Sequence, residues 1–163
     1  MTARIVPLLP RHTRGFHAAL DDVAREGRFL AMTEAPPLAV ARRFIRNGVT
    51  AGSVQFVALV EETVVGWCDI SRLAWSTRRH SGTLGMGVVA AQRGRGIGRA
   101  LLDATLARAD ETGFTRVELR VRIDNLPAIR LYEHCGFEVE GTCRRYLQHE
   151  GTYYDALIMA RLR

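Results

Sequence analysis

The spacing of apolar residues predicts both helices and strands along this chain. Within residues 14–26 apolar side chains recur every three or four positions, which is the period of an amphipathic helix. Within residues 116–122 they alternate with charged side chains, which is the period of a strand. Applied to the whole chain, these patterns predict strands at Ala3–Leu8, Val54–Val60, Val64–Arg72, Thr83–Val89, 116–122, Phe137–Thr142 and Tyr153–Leu162, and helices at 14–26, 36–48, 97–113 and 125–136.

Two glycines stand inside the predicted strand Thr83–Val89. Gly85 and Gly87 alternate there with larger apolar residues. Glycine within a strand marks either a bulge or a close approach of another part of the chain. A bulge at this position would splay the next strand of the sheet away.

A glycine-rich loop follows this strand and opens the predicted helix 97–113. Gly94, Gly96 and Gly98 allow the backbone to turn sharply and to approach a ligand closely. The first N–H groups of the helix have no helical partner and point outward, which is the arrangement that binds phosphate. We therefore expect a phosphoester ligand here, with a glycine-rich structural turn as the alternative.

Three arginines in and after this loop support phosphate binding. Arg93 and Arg95 lie in the loop, and Arg99 follows one helical turn later, so that all three can add charged hydrogen bonds. Two familiar phosphate motifs do not fit. The third glycine of a dinucleotide fingerprint is replaced by Arg99, and a P-loop needs a lysine, of which this chain has none.

The motifs around this loop resemble those of the GNAT superfamily, the acyl-CoA-dependent N-acetyltransferases. Residues 93–98, RGRGIG, match the pyrophosphate pattern R/Q-x-x-G-x-G/A of that family at the end of a strand. Residues 125–137, NLPAIRLYEHCGF, match its pattern N-x-x-A-x-x-L-Y-x-x-x-G-F. The likeness is clear from about Val54 to the end of the chain. It implies an α/β (α+β) fold, in which a mixed central sheet is splayed at the cofactor cleft and flanked by helices.

The resemblance also implies which residues bind acetyl-CoA. In such a fold the loop holds the pyrophosphate, while the end of the preceding strand and the motif asparagine hold the pantetheine arm. A strand N–H there could also stabilise the oxyanion that forms at the thioester carbonyl. The implied cofactor-binding residues are Met86, Gly87, Val88, Arg93, Gly94, Arg95, Gly96, Ile97, Gly98, Arg99 and Asn125.

Tyr132 matches the tyrosine that serves as general acid toward the departing thiolate in many members of the family. A phenol has a pKa of about 10 and stays protonated at neutral pH. The general base stays open, because Arg120 stands where some ribosomal-protein acetyltransferases of the family carry a glutamate. The candidates for the base are Asp69, Glu34, Glu118 and His80.

Composition excludes several other classes of protein. The 163 residues are the length of one domain, and no repeat, low-complexity segment or linker divides residues 1–163. With 47% hydrophobic and 25% charged residues the chain is typical of a globular protein. It has neither an apolar run long enough to span a membrane nor the apolar core of a signal peptide. We therefore expect a cytoplasmic protein.

The formal net charge of +6 does not by itself indicate nucleic-acid binding. The arginines are spread along the whole chain and form no basic tract interleaved with aromatic residues. A positive field would nevertheless attract a polyanionic cofactor. Nucleic acid is therefore not expected as a partner.

The cysteines and histidines do not predict a metal site. The three cysteines include no C-x-x-C pair, and the five histidines lack metal-ligand spacing. Cys135 follows His134 directly, but neighbours on a helix point about 100° apart, so the two do not predict a catalytic dyad. We expect Cys135 to be a core residue and no metal to take part.

Taken together, the sequence predicts transfer of acetyl from acetyl-CoA to an amine of a small molecule, an amino acid or a protein N-terminus. The alternative is a non-catalytic acyl-CoA-binding or sensing module, since no residue stands out as the base. The resemblance also makes a homodimer plausible, although no segment of the sequence identifies its interface.

Overall fold

The structure is a computed structural model that describes residues 2–163. One seven-stranded sheet lies at its centre. The elements follow one another as β1 (Arg4–Pro7), α1 (Thr13–Arg25), α2 (Leu38–Ala51), β2 (Val54–Val60), β3 (Thr63–Arg72), β4 (Ser81–Val88), α3 (Ile97–Glu111), β5 (Arg116–Arg122), α4 (Leu126–His134), β6 (Glu138–His149) and β7 (Thr152–Leu162). The strands lie in the order β1-β2-β3-β4-β5-β7-β6, and β4 and β5 form the parallel pair in an otherwise antiparallel sheet. The predicted mixed sheet flanked by helices is confirmed.

The parallel strands β4 and β5 separate soon after they begin. They pair only from Ser81, opposite Arg116, to Thr83, opposite Glu118. Beyond Thr83 the two strands part, so residues 84–88 of β4 have no strand partner on that side. The splayed sheet that the sequence predicts is therefore present, and it leaves free backbone hydrogen-bonding groups along one edge of β4.

A bulge in β4 does not cause this separation. The register between β3 and β4 is unbroken over seven residue pairs, so the glycines of β4 mark close contacts instead. A Cβ atom on Gly87 would lie 2.4 Å from the ring of Trp67, and one on Gly85 would lie 3.3 Å from Oδ1 of Asp69. Of the two predicted alternatives, the close approach is correct.

Helices cover both faces of the sheet. On one face α3 buries Leu101 and Leu102 completely against the strands, and α4 packs beside it. On the other face α1 and α2 pack through Phe16 and Ile45 around Trp67 of β3. Within residues 2–163, none of the helices is long and apolar enough to cross a membrane.

Two elements end clearly later than the sequence predicts. Helix α2 continues through Gly48 and ends at Ala51, because Gly52 adopts the left-handed conformation that terminates helices. Strand β6 extends to His149 instead of ending at Thr142, and its pairing with β7 is interrupted between Cys143 and Leu147. Because the pairing is irregular there, the alternation of side chains does not predict the full length of the strand.

Candidate active site

A cavity of about 780 Å³ lies where β4 and β5 part. Its walls come from the segment after α1, from β4 and the glycine loop, from β5, from α4 and from β6. The cavity thus joins the two sequence motifs, which are far apart along the chain, across the split in the sheet.

The glycine loop forms one end of this cavity. Gly94 and Gly96 have φ angles of +73° and +79°, which side chains with a Cβ atom rarely adopt. The first turn of α3 contains no acidic residue, and its first helical bond runs from the N–H of Ala100 to the carbonyl of Gly96 at 3.0 Å. The earlier N–H groups of the helix have no helical acceptor. The loop therefore has the conformation and the local charge that suit a phosphate group.

The three arginines of the loop have different surroundings. Arg93 lines the cavity, donates to the carbonyl of Val88 at 2.8 Å and forms a two-point ion pair with Glu26 at 2.5 and 2.8 Å. Arg99 also lines the cavity and pairs with Asp103 one turn later on α3 at 2.7 Å. Arg95 is exposed and is not part of the cavity wall. Arg93 thus connects the loop to the end of α1.

The remaining cofactor-binding residues that the resemblance implies are also brought together. Met86, Gly87 and Val88 line the cavity along the free edge of β4, and Ile97 and Gly98 line it at the start of α3. Asn125 lines it from the start of α4.

Asn125 has a structural role as well. Its Oδ1 accepts a hydrogen bond from the N–H of Ala128 at 3.4 Å, so it is the N-cap of α4. This capping role is compatible with the implied contact to the pantetheine arm, because Asn125 also lines the cavity.

Tyr132 lines the cavity from α4 and is only 8% exposed. Its ring packs against Phe137 with centroids 5.7 Å apart. Burial raises the pKa of Tyr132 above its usual value, and the nearby thiol of Cys68 adds to this. The phenol therefore keeps its proton throughout the neutral range.

Asp69 is the buried carboxylate next to the cavity. It lies on β3 opposite Gly85, which lines the cavity, and its Oδ1 lies 3.3 Å from the position of a Cβ atom on that glycine. Burial raises the pKa of Asp69 to about 7, although a hydrogen bond from the hydroxyl of Ser71 at 3.2 Å acts in the opposite direction. A carboxylate with such a pKa can both accept and release a proton at neutral pH.

The other three candidates for the base are less suitably placed. Glu118 accepts hydrogen bonds from Arg78 and Arg116, each at 3.1 Å. The side chain of Glu34 is 73% exposed, and His80 precedes the start of β4, far along that strand from its cavity-lining end. None of the four candidates lines the cavity itself, but the carboxylate of Asp69 lies next to the cavity-lining Gly85.

Several residues of the cavity wall were not found from the sequence. Arg28 and Phe29 reach it from the segment after α1, and Tyr146 reaches it from β6. Arg122 is buried in the wall and forms a forked ion pair with Asp124 at 2.6 and 2.9 Å. These residues belong to no recognisable motif, because only the folding of distant segments brings them to one place.

The fold and the motifs both have counterparts among known proteins. The family model described as "Acetyltransferase (GNAT) family" matches residues 23–137. L-amino acid N-acetyltransferase AaaT of Escherichia coli is 36% identical over 113 residues, which are 69% of this chain and 70% of that protein. N-alpha-acetyltransferase RimI of Mycobacterium tuberculosis is 40% identical over 102 residues, which are 61% of this chain and 60% of that protein.

A solved structure of a GNAT-family acetyltransferase from Streptococcus pneumoniae superimposes with a TM-score of 0.93 at 23% identity, covering 99% of this chain and 100% of that one. This likeness extends over the part of the chain that precedes the two motifs. The family model matches most of the sequence, and the split sheet is present in the structure. The chain therefore belongs to the GNAT family of acetyltransferases.

Proposed function

We propose that this protein transfers the acetyl group of acetyl-CoA directly to an amine, and that the reaction takes place in the cavity between β4 and β5. The observation that carries the proposal is the cavity itself, which joins the glycine loop, the free edge of β4 and Tyr132 in one continuous space. Acetyl-CoA supplies the acyl group as a thioester.

The residues present fit this donor. The open space around Gly94 and Gly96, where an added Cβ would meet nothing within 4 Å, leaves room for a pyrophosphate beside the N–H groups of residues 94–99. Arg93 and Arg99 line the same region and add positive charge. The free edge of β4 at residues 86–88 and the side chain of Asn125 would bond the amides of the pantetheine arm.

Asp69 is the proposed general base. An amine is mostly protonated at neutral pH and must lose a proton before it can attack a thioester. Because Gly85 has no side chain, the carboxylate of Asp69 lies directly behind the cavity wall and can take that proton through a water molecule. Its pKa of about 7 means that about half of the molecules hold the carboxylate ionised at pH 7.

Tyr132 is the proposed general acid. Its hydroxyl can donate to the sulfur that leaves with coenzyme A, whose thiolate has a pKa of about 8.5. Since burial raises the pKa of the phenol, complete transfer of its proton is unfavourable unless the tyrosine regains a proton from the product ammonium. Tyr132 therefore assists departure mainly as a hydrogen-bond donor.

Calorimetric titration with acetyl-CoA, and separately with NAD, at defined salt tests the donor site. Thiol release with a panel of amines then tests the transfer. One-site binding of acetyl-CoA alone, followed by amine-dependent thiol release, is the expected result. Binding without turnover on every amine would favour an acyl-CoA-binding module, and the absence of binding would overturn the proposal.

Sedimentation of the same sample tests the predicted homodimer, and fractionation of cells tests the predicted cytoplasmic location.

A further inference from the structure

We propose that the acceptor is an amine with a carboxylate on the neighbouring carbon, as in an α-amino acid, and that Arg120 binds this carboxylate. This inference rests on the proposed function, since it concerns the acceptor of the same cavity. It assigns a specificity role to a residue that lies outside the two sequence motifs.

The register of the sheet puts Arg120 and the proposed base on one face. Thr83 pairs with Glu118, so these two residues face the same side of the sheet. Because side chains alternate along a strand, Arg120 faces this side as well, and so does position 85, where Gly85 has no side chain. Asp69 pairs with Gly85 from the other neighbouring strand and points to this side too. Gly85 therefore separates a carboxylate on β3 from a guanidinium on β5.

The spacing of the strands leaves room for a small acceptor between Asp69 and Arg120. Neighbouring strands lie about 4.8 Å apart, so residues on β3 and β5 are about 10 Å apart before the splay widens the gap. The absence of a side chain at Gly85 leaves that gap open to the cavity. An amine can thus approach the side of Asp69 while a group attached to its neighbouring carbon meets the arginine.

The charge of Arg120 is not neutralised by a carboxylate among residues 2–163. By contrast, the arginines at 93, 99 and 122 on the same cavity wall each form an ion pair. The guanidinium of Arg120 lies 5.9 Å from the centre of the Tyr146 ring, and the residue is exposed. An arginine in this situation offers a planar pair of donors that matches a carboxylate.

A second positive charge lies on the cavity wall. Arg28 lines the cavity, and in the part of the chain that the structure describes it forms no ion pair within 4 Å. The pKa of Asp124 is lowered mainly by hydrogen bonds from Arg122, and Arg28 contributes a smaller effect. Asp124 thus faces two arginines, Arg122 and Arg28, and an anionic acceptor would offset the remaining positive charge.

This arrangement separates classes of amine by charge. A polyamine would place a second cation near Arg120 and would be repelled. A peptide N-terminus has a neutral amide where the amino acid has its carboxylate, so it would lose the charged hydrogen bonds. A free α-amino acid satisfies both the base and the arginine.

The test compares matched acceptors. Each common α-amino acid is assayed beside its carboxamide and its decarboxylated amine, with thiol release as the readout and acetyl-CoA at saturation. Because hydrogen bonds to a charged group are the strong ones, we expect kcat/KM to favour the amino acid over its carboxamide by about 10- to 150-fold. Arg120→Gln should remove this preference mainly by raising KM, and Arg120→Lys should keep part of it.

Arg46→Gln is the matched control, since Arg46 is an exposed arginine of α2 outside the cavity. It should keep the full preference. Carboxamides or simple amines acetylated as well as the amino acids, or a preference that survives Arg120→Gln, would overturn this inference and leave the proposed function intact. If acetyl-CoA binds but none of the amines is acetylated, both the proposed function and this inference fail.

Discussion

Replacement of Asp69 by asparagine removes the ionisable group behind the cavity wall and nearly preserves its shape. As the proposed base, Asp69 is active when ionised, so the activity of the wild-type protein should be lost as the pH falls through the pKa of about 7. Removal of a positioned base lowers turnover by about 10²- to 10⁴-fold. We therefore expect Asp69→Asn to have a low kcat/KM without the rise that the wild-type protein shows around neutral pH.

The assay is thiol release over about pH 5.5 to pH 9, where the expected inflection lies in the middle of the range. The ionisation of the acceptor amine contributes to the profile of both proteins, so the difference between the profiles reports Asp69. Ser71→Ala adds a finer test. The hydroxyl of Ser71 holds the pKa of Asp69 down, and its removal should move the inflection to higher pH.

Replacement of Asp69 by asparagine should also alter how the free energy of unfolding depends on pH. Burial favours the protonated form of Asp69, so the folded state binds this proton more tightly than the unfolded state. The ionised side chain therefore destabilises the fold progressively as the pH rises from about 4 to about 7. A rise of the pKa from 3.8 to about 7 corresponds to about 4 kcal/mol above neutral pH.

Asp69→Asn should consequently be more stable than the wild-type protein at pH 8, by up to about 4 kcal/mol, and little different at pH 4. Urea unfolding at both pH values measures this difference. Asp22→Asn, an exposed aspartate of α1, is the matched control and should change neither activity nor stability. Unchanged kcat/KM in Asp69→Asn would refute the assignment of the base, and equal stability at both pH values would refute the raised pKa.

Three further predictions concern the donor side of the cavity. Tyr132→Phe should lower kcat by about 10²-fold, because only the hydrogen bond to the leaving sulfur is lost, and calorimetry should show unchanged acetyl-CoA affinity. The control is Tyr153→Phe, at an exposed position of β7. An unchanged rate in Tyr132→Phe would remove Tyr132 from the mechanism. Gly96→Ala should lower the free energy of unfolding in urea by about 1 kcal/mol, since φ is +79° there, and should weaken acetyl-CoA binding. If neither the stability nor the affinity changes, the role of the loop is contradicted. Arg93→Gln should weaken acetyl-CoA binding more than Arg95→Gln does, because only the first side chain lines the cavity, and equal effects in calorimetry would contradict this.

Much of the fold was predictable because its signals are local. Alternation and helical spacing depend on residues within a few positions of one another, and they located all seven strands and four helices. The turn at Glu61 and Glu62, both with positive φ, joins β2 and β3 between the two strands that the sequence predicts there. The extent of β6 was not predictable, because the irregular pairing around Arg145 breaks the period on which a strand prediction depends.

The sequence by itself determined the glycine loop and the start of α4, because each of these features is made by a short continuous segment. Glycines with positive φ and an asparagine N-cap act on their immediate neighbours, so their spacing was enough to locate them. Only the tertiary structure favours one of the carboxylates as the proposed base. Burial, register and the missing side chain at Gly85 depend on three strands together, and these distinguish Asp69 from Glu34, Glu118 and His80. The unpaired charge of Arg120 at the same site likewise depends on how distant segments fold around it, and the chain encodes it in no local pattern.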